Sequence, residues 1–405
     1  MRRRAPLAWQ VVVLAALAGV WAVAVYFLWQ SVVPSSLSLP NLDPREFFSA
    51  HTLSRAADFE QFLELTWIGE QLLLVAVFVA YARWGVGFMK ESAAGPIGTG
   101  IFLAMMGFAL TWFVRLPFEI LDTWWERKYG VLKVGYAEVI FSGWLGLGFT
   151  FLALSIAVAI VMNIARWLPR LWWVAAVPVF TGIALLQTFV GAYLVGGHSL
   201  RQDDPQLAAA AQRIQRQEGL SGIPVNVVVV HDYTPEENAF ATGLGPSRKV
   251  FLYDTILTGG LNRRQLETVL AHEFGHQARD HLWKEIAWYA LFAFPEAFLI
   301  ALVARRRGGM SRPEAIPLAL LVAVVFTLVT LPLQNVVTRH YEAEADWMAL
   351  RTTRNPTGLA ATMRHFGAYD LADPDPPTWA YILYANHPTL MQRIAMAEAW
   401  RARNR

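Results

Sequence analysis

Cysteine is absent from all 405 residues. No disulfide framework, thiolate ligand or thiol nucleophile is available, so any metal must be held by His, Asp or Glu. Charge is scarce as well. Asp, Glu, Lys and Arg make up 16% of the chain against 55% hydrophobic residues, and the mean hydropathy is +0.35. That leaves too little polar surface for a soluble body of this size, and the apolar residues come in runs long enough to span a bilayer. The net charge of +3 is small. No stripe of Lys and Arg interleaved with aromatic residues occurs, which argues against a nucleic-acid partner. Internal repeats and low-complexity segments are missing too. Lysine is rare beside arginine, a bias that fits a GC-rich bacterial genome and hence a bacterial plasma membrane.

What is present begins with seven apolar segments, near residues 7–33, 62–84, 97–121, 138–164, 171–195, 286–304 and 315–337. Each is long enough for a membrane helix, so a multi-pass integral membrane protein is expected. The first run follows Met1-Arg2-Arg3-Arg4, but it is too long for a signal-peptide core and reads as a retained span. The second carries Glu64, Glu70 and Gln71, which are costly against lipid and expected to face protein or water. Residues 122–135 are amphipathic and aromatic, as at a bilayer interface. Residues 196–285 are polar and read as a soluble insertion. It holds a helix over 205–218 stopped by Gly219, and strands over 224–230 and 249–253. The expected organisation is a five-span membrane region (1–195), a catalytic insertion (196–285), two further spans (286–338) and a helical tail (339–405). With seven spans, the side holding Arg2–Arg4 carries eleven basic loop residues, Lys90 among them, against five opposite. The positive-inside rule then puts the insertion outside the cytoplasm.

The insertion ends in His272-Glu273-Phe274-Gly275-His276, an H-E-x-x-H pattern. On a helix, two His four apart share a face and can reach one Zn²⁺, with the Glu beside them to hold an attacking water. Asn262 and Gln265 supply the start of that helix as a capping box. A catalytic zinc needs a third protein ligand. His281 lies five residues past His276, about 140° away on a continuous helix, and reads as a polar helix-face residue. The better source is Glu342-Ala343-Glu344-Ala345-Asp346. Glu342 and Asp346 are one turn apart. Glu342 is assigned as ligand and Asp346 as the carboxylate that accepts the N–H of a ligand His. Glu344 points elsewhere.

Four stretches together resemble the type I CaaX prenyl endopeptidase family and its relatives, the membrane-bound heat-shock quality-control proteases. They are HEFGHQARDHLWK (272–284), EAEAD (342–346), Asn238-Ala239-Phe240-Ala241-Thr242-Gly243, and Asn386-His387-Pro388 with Arg393. The resemblance implies an α-helical membrane fold: seven transmembrane helices in a barrel around a water-filled chamber, with a small α+β zinc-protease insertion. It implies one Zn²⁺ on His272, His276 and Glu342, Glu273 as general base, and Asp346 behind the ligands. His387 would stabilise the tetrahedral oxyanion and Arg393 would hold the ligand carboxylate. Asn238 and residues Ala239, Phe240, Ala241, Thr242 and Gly243 would line the cleft and offer backbone groups to an extended peptide. The function implied is a membrane zinc metalloendopeptidase of CaaX-protein processing, with its site in the cytoplasm. Its partners would be membrane lipids and a peptide or protein substrate, lipid-modified or membrane-bound. The alternatives are a membrane quality-control protease, or a zinc-containing scaffold or chaperone with little turnover. Glu273 favours an enzyme, since a scaffold needs no base beside its metal.

Overall fold

The computed structural model describes residues 7–89 and 94–404. Helices come first in the chain: α1 (Leu7–Leu28), α2 (Ala50–Trp84), α3 (Gly95–Tyr129), α4 (Tyr136–Trp167) and α5 (Trp172–Leu194). A mixed unit follows, with β1 (His198–Ser199), α6 (Leu200–Asp203), α7 (Pro205–Gln217), β2 (Val225–Val228), β3 (Ala239–Thr242), β4 (Lys249–Tyr253), α8 (Asp254–Thr258) and α9 (Arg263–Ala278). The rest is helical: α10 (His281–Ala304), α11 (Ile316–Thr353), α12 (Pro356–Tyr369), α13 (Thr378–Leu383) and α14 (Leu390–Arg403). Prolines lie inside α3, α5, α10 and α11. Each would break an isolated helix in water, but packed membrane helices tolerate them because neighbours re-satisfy the freed backbone.

The expectation of seven spans closed into a barrel is corrected. Among the described residues, five helices are long and apolar enough to cross a membrane: Ala50–Gly87, Gly95–Tyr129, Trp172–Leu194, His281–Arg307 and Pro313–Thr353. Over the first and fourth expected spans, the shorter apolar stretches Ala18–Leu28 and Phe151–Trp167 stand among the described residues. The loop-charge comparison presumed seven spans, and Arg2–Arg4 and Lys90 lie outside the described residues. The sheet is open rather than closed. Its four strands run in the order β1-β2-β4-β3, with β2 and β4 parallel and the outer pairs antiparallel. Closure would need the edge strands to pair, and β1 is two residues long.

β2 and β4 fall within or on the expected strands, because their β-branched and aromatic residues suit a buried sheet centre. β3 was expected only as a segment lining a cleft. It pairs with β4 from Ala239↔Leu252 to Thr242↔Lys249 and leaves its other side as a sheet edge. Gly243 ends it at φ +85°, where an added Cβ would lie 2.2 Å from the Ser247 carbonyl oxygen. Only glycine fits that turn.

Among the described residues, four apolar clusters meet on α11, three of them large. At its start Ile316 packs into the membrane bundle with Phe78, Leu103 and Met162. Further on, Ala349 joins the core of the mixed unit beside Leu207, Val250, Leu270 and Phe274. Trp347 and Leu350 join a tail core with Leu359, Met363 and Ile394. One helix of 38 residues thus ties the membrane region to the sheet unit and the tail. The membrane region is also tied in through residues 131–133. The Lys133 amide donates to the Tyr233 carbonyl (2.9 Å), and Thr234 Oγ1 donates to the Val131 carbonyl (2.8 Å).

Candidate metal centre

α9 begins as its sequence predicts. The Asn262 side chain accepts from the amides of Arg264 and Gln265, and Gln265 Oε1 accepts from the Asn262 amide. This capping box fixes the phase of the helix, and with it the face that carries His272 and His276. α11 crosses close to α9 at Gly275. A Cβ there would lie 3.1 Å from Met348 Cβ and 3.3 Å from Ala345 Cα. The small residue lets Glu342 and Asp346, on α11, approach the two imidazoles.

His272, His276 and Glu342 come together, with one ligand atom from each lying within 4.8 Å of the others. The His272 and His276 Nε2 atoms are 3.1 Å apart. His272 Nε2 is 3.2 Å from Glu342 Oε2, and His276 Nε2 is 3.5 Å from Glu342 Oε1. Glu342 Oε2 is buried and has no hydrogen-bond donor. Two imidazole nitrogens and a carboxylate aimed at one point, one oxygen without a donor, suit a cation. Burial works against charge on His272, yet Asp346 and Glu342 outweigh it and lift the imidazole to about 10. These carboxylates favour positive charge between them. The donor set of two His and one Glu fits zinc.

Behind the cluster, Asp346 Oδ1 accepts from His272 Nδ1 at 2.9 Å. With Nδ1 committed to Asp346, Nε2 is the nitrogen a metal would displace a proton from, the arrangement a ligand His needs. Asp346 is held by Arg393 of α14, whose Nε and terminal nitrogen each donate at 2.7 Å. The family resemblance implies Arg393 on the ligand carboxylate. Its hydrogen bonds go to Asp346 instead, one helical turn further along α11.

Glu273 is buried. Burial raises its carboxyl to about 7, with Glu342 adding to the effect and His272, Arg393 and the Ala241 amide opposing it. The Ala241 amide belongs to β3, so the edge strand lies against α9. Gln277 Nε2 fastens the same strand by donating to the Thr242 carbonyl (3.1 Å). Phe240 stacks on Phe251 of β4, with centroids 5.1 Å apart, and so packs on the sheet. The Asn238 side chain is spent locally: Nδ2 donates to Glu236 and Oδ1 accepts from the Ala239 amide. His387 brings Nε2 to 3.4 Å from Glu342 Oε2 on the open side, where its side chain is half-exposed. Its Nδ1 faces Asn386 Oδ1 at 2.6 Å. Burial lowers its pKa, with Arg393 and His272 adding to the effect and Glu342 and Asp346 opposing it.

His281 and Glu344, read from sequence as peripheral, are fully buried beside His276. The 140° argument assumed one continuous helix. α9 instead stops at Ala278, and Asp280 takes a left-handed conformation (φ 54°). The chain turns there and brings His281 back toward the site. The signal was Asp280 itself, one of the few residue types that enter that region readily.

Residues 201–401 match the profile of Peptidase family M48. The uncharacterized metalloprotease YhfN of Bacillus subtilis (strain 168) is 23% identical over 406 residues, covering 92% of this chain and 93% of that protein. A protease HtpX homolog of Desulfatibacillum aliphaticivorans is 30% identical over 206 residues, or 45% of this chain and 65% of its own length. A Streptococcus thermophilus (strain ATCC BAA-250 / LMG 18311) HtpX homolog is 24% identical and covers 70% of this chain and 94% of its own. Among solved structures, S. mikatae Ste24p superposes with a TM-score of 0.69 at 17% identity, over 98% of this chain and 100% of that one. At that identity the likeness is one of fold.

Proposed function

We infer, from a chain whose residues 201–401 match the profile of Peptidase family M48 and whose long apolar helices suit a membrane, that the protein is a membrane-embedded zinc metalloendopeptidase. The observation that carries this is the convergence of His272, His276 and Glu342, with the buried Glu273 carboxylate beside them. His272, His276 and Glu342 would hold the ion. A zinc ion so held lowers the pKa of water toward ~7 and polarises a carbonyl.

The chain's own groups do the rest. Glu273 takes the proton of the attacking water and returns it to the leaving amine. A carboxyl lifted to about 7 by burial is matched to both steps near neutral pH. His387, once its ring is protonated, donates from Nε2 to the developing oxyanion. Arg393 and Asp346 keep the His272 ring in place. A peptide would lie antiparallel along the outer side of β3, taking its hydrogen bonds from backbone groups of residues 239–243 that Asn238, Glu273 and Gln277 do not engage. A substrate read through its backbone is selected by being extended and reachable from the membrane, not by one side chain. This supports a broad activity on membrane or membrane-associated chains over one confined to prenylated C-termini. Retention of a base beside the ligands likewise favours turnover over a scaffold role.

The test is a panel containing one extended peptide with and without a C-terminal prenyl group, offered to the purified protein in detergent. Cleavage of both at the same internal bond is expected. No cleavage of either form, with zinc present, would sink the reading.

A further inference from the structure

We propose that His281 and Glu344 form a positioning relay that orients His276 as a ligand, the counterpart of the Asp346–Arg393 pair behind His272. The proposal deepens the zinc reading and rests on it.

His276 Nε2 faces His272 and Glu342, so Nδ1 points away from the site. There it meets His281 Nδ1 at 3.0 Å. His281 Nε2 in turn lies 2.9 Å from Glu344 Oε2. Only one placement of protons satisfies every contact. His276 must be bare at Nε2 to serve as a ligand, so its proton is on Nδ1 and is donated to His281 Nδ1. His281 then carries its own proton on Nε2 and donates it to the Glu344 carboxylate. Glu344 is anchored in its turn. Its Oε1 accepts from Arg279 Nε (2.8 Å) and from the Val32 amide (2.9 Å), and Lys284 Nζ is 3.5 Å from Oε2.

The relay is rigid as well as connected. The His281 ring stacks on Tyr341 with centroids 4.7 Å apart and planes 20° from parallel. Tyr341 is itself fixed, since its hydroxyl accepts from Trp288 Nε1 (2.7 Å) and donates to the Leu28 carbonyl (2.8 Å). A buried ion pair serving packing alone would need only one nitrogen of His281. The other nitrogen, on His276 Nδ1, is what sets a tautomer, and without it a buried N–H would have no acceptor. Both ligand imidazoles are thus backed by a carboxylate that an arginine holds: Asp346 directly for His272, Glu344 through one imidazole for His276.

The test uses the full chain in detergent and reads zinc affinity by competition with a chromophoric chelator, together with the visible spectrum of the Co(II)-substituted protein. His281→Phe keeps the ring on Tyr341 but removes the acceptor. It is expected to fold and to bind zinc about 10–100-fold more weakly, the usual cost of an outer-shell change, with altered Co(II) bands. His281→Gln can place a carbonyl oxygen against His276 and an amide N–H against Glu344, and is expected to recover much of the affinity. Unchanged affinity and spectrum in His281→Phe would overturn the relay. Should that variant not fold, Glu344→Gln decides. A several-fold weaker zinc affinity supports the relay, and wild-type affinity overturns it. A wild type that binds no zinc at all overturns the proposed function itself, and so separates the two failures.

Discussion

Glu273→Gln is expected to lower kcat/KM for peptide cleavage roughly 10²–10⁴-fold, the range that general acid–base catalysis contributes, while the protein keeps its zinc. Gln has the size of Glu and leaves the packing of α9 against β3 and α11 in place, but it cannot take a proton. The same carboxyl predicts the acid side of the pH profile. Burial raises Glu273 to about 7, and it must be unprotonated to act as base, so activity falls as pH drops through its pKa. A bound dication lowers that pKa from its starting value. The acid limb should therefore have its midpoint at or below about 7 in wild type and be lost in Glu273→Gln. Near-wild-type activity in the variant, with the limb intact, would remove Glu273 from the chemistry.

Glu342→Gln is expected to cost the zinc itself. The residue is the one carboxylate in the ligand cluster and comes from α11, so it closes the site between two distant parts of the chain. Zinc is bound by His, Cys and carboxylate ligands, and a neutral amide is a poor replacement for the carboxylate. Affinity should fall by more than the ~10–100-fold of an outer-shell change, and cleavage should disappear with the metal. Stability gives the control. In the metal-free protein Glu342 Oε2 lies 3.2 Å from the His272 imidazole that it helps keep protonated, a pairing the amide weakens. The metal-free variant should thus unfold at a slightly lower temperature than metal-free wild type, and added zinc should raise the wild-type temperature alone. Retention of zinc after desalting would mean another side chain is the third ligand. A large drop in metal-free stability would mean that Glu342 is structural.

Much of this site was legible from residue types and spacing alone. Asn262 with Gln265 announced α9, the four-residue interval put His272 and His276 on one face, and the same interval put Glu342 and Asp346 on another. Such readings succeed because helical phase is local. The misses all depend on what happens between elements. β3 is Ala-Phe-Ala-Thr, too short and too rich in alanine to declare itself as a strand, and it exists because β4 offers a partner. His281 was misplaced because one left-handed residue, Asp280, ends the helix on which the angular argument relied. The target of Arg393 is a choice between two carboxylates one turn apart on α11, which spacing does not distinguish. The span count failed for a different reason. Hydropathy marks where apolar residues cluster, and among the described residues five helices are long and apolar enough to cross a membrane.

The central claim, that this chain cuts peptide bonds with a zinc held by His272, His276 and Glu342, is tested most directly on one wild-type preparation. Metal content and cleavage are measured before chelation, after chelation, and after zinc is returned. The account predicts one zinc per chain, loss of cleavage with the metal, and recovery on its return. Cleavage that continues in the chelated, zinc-free protein would contradict it.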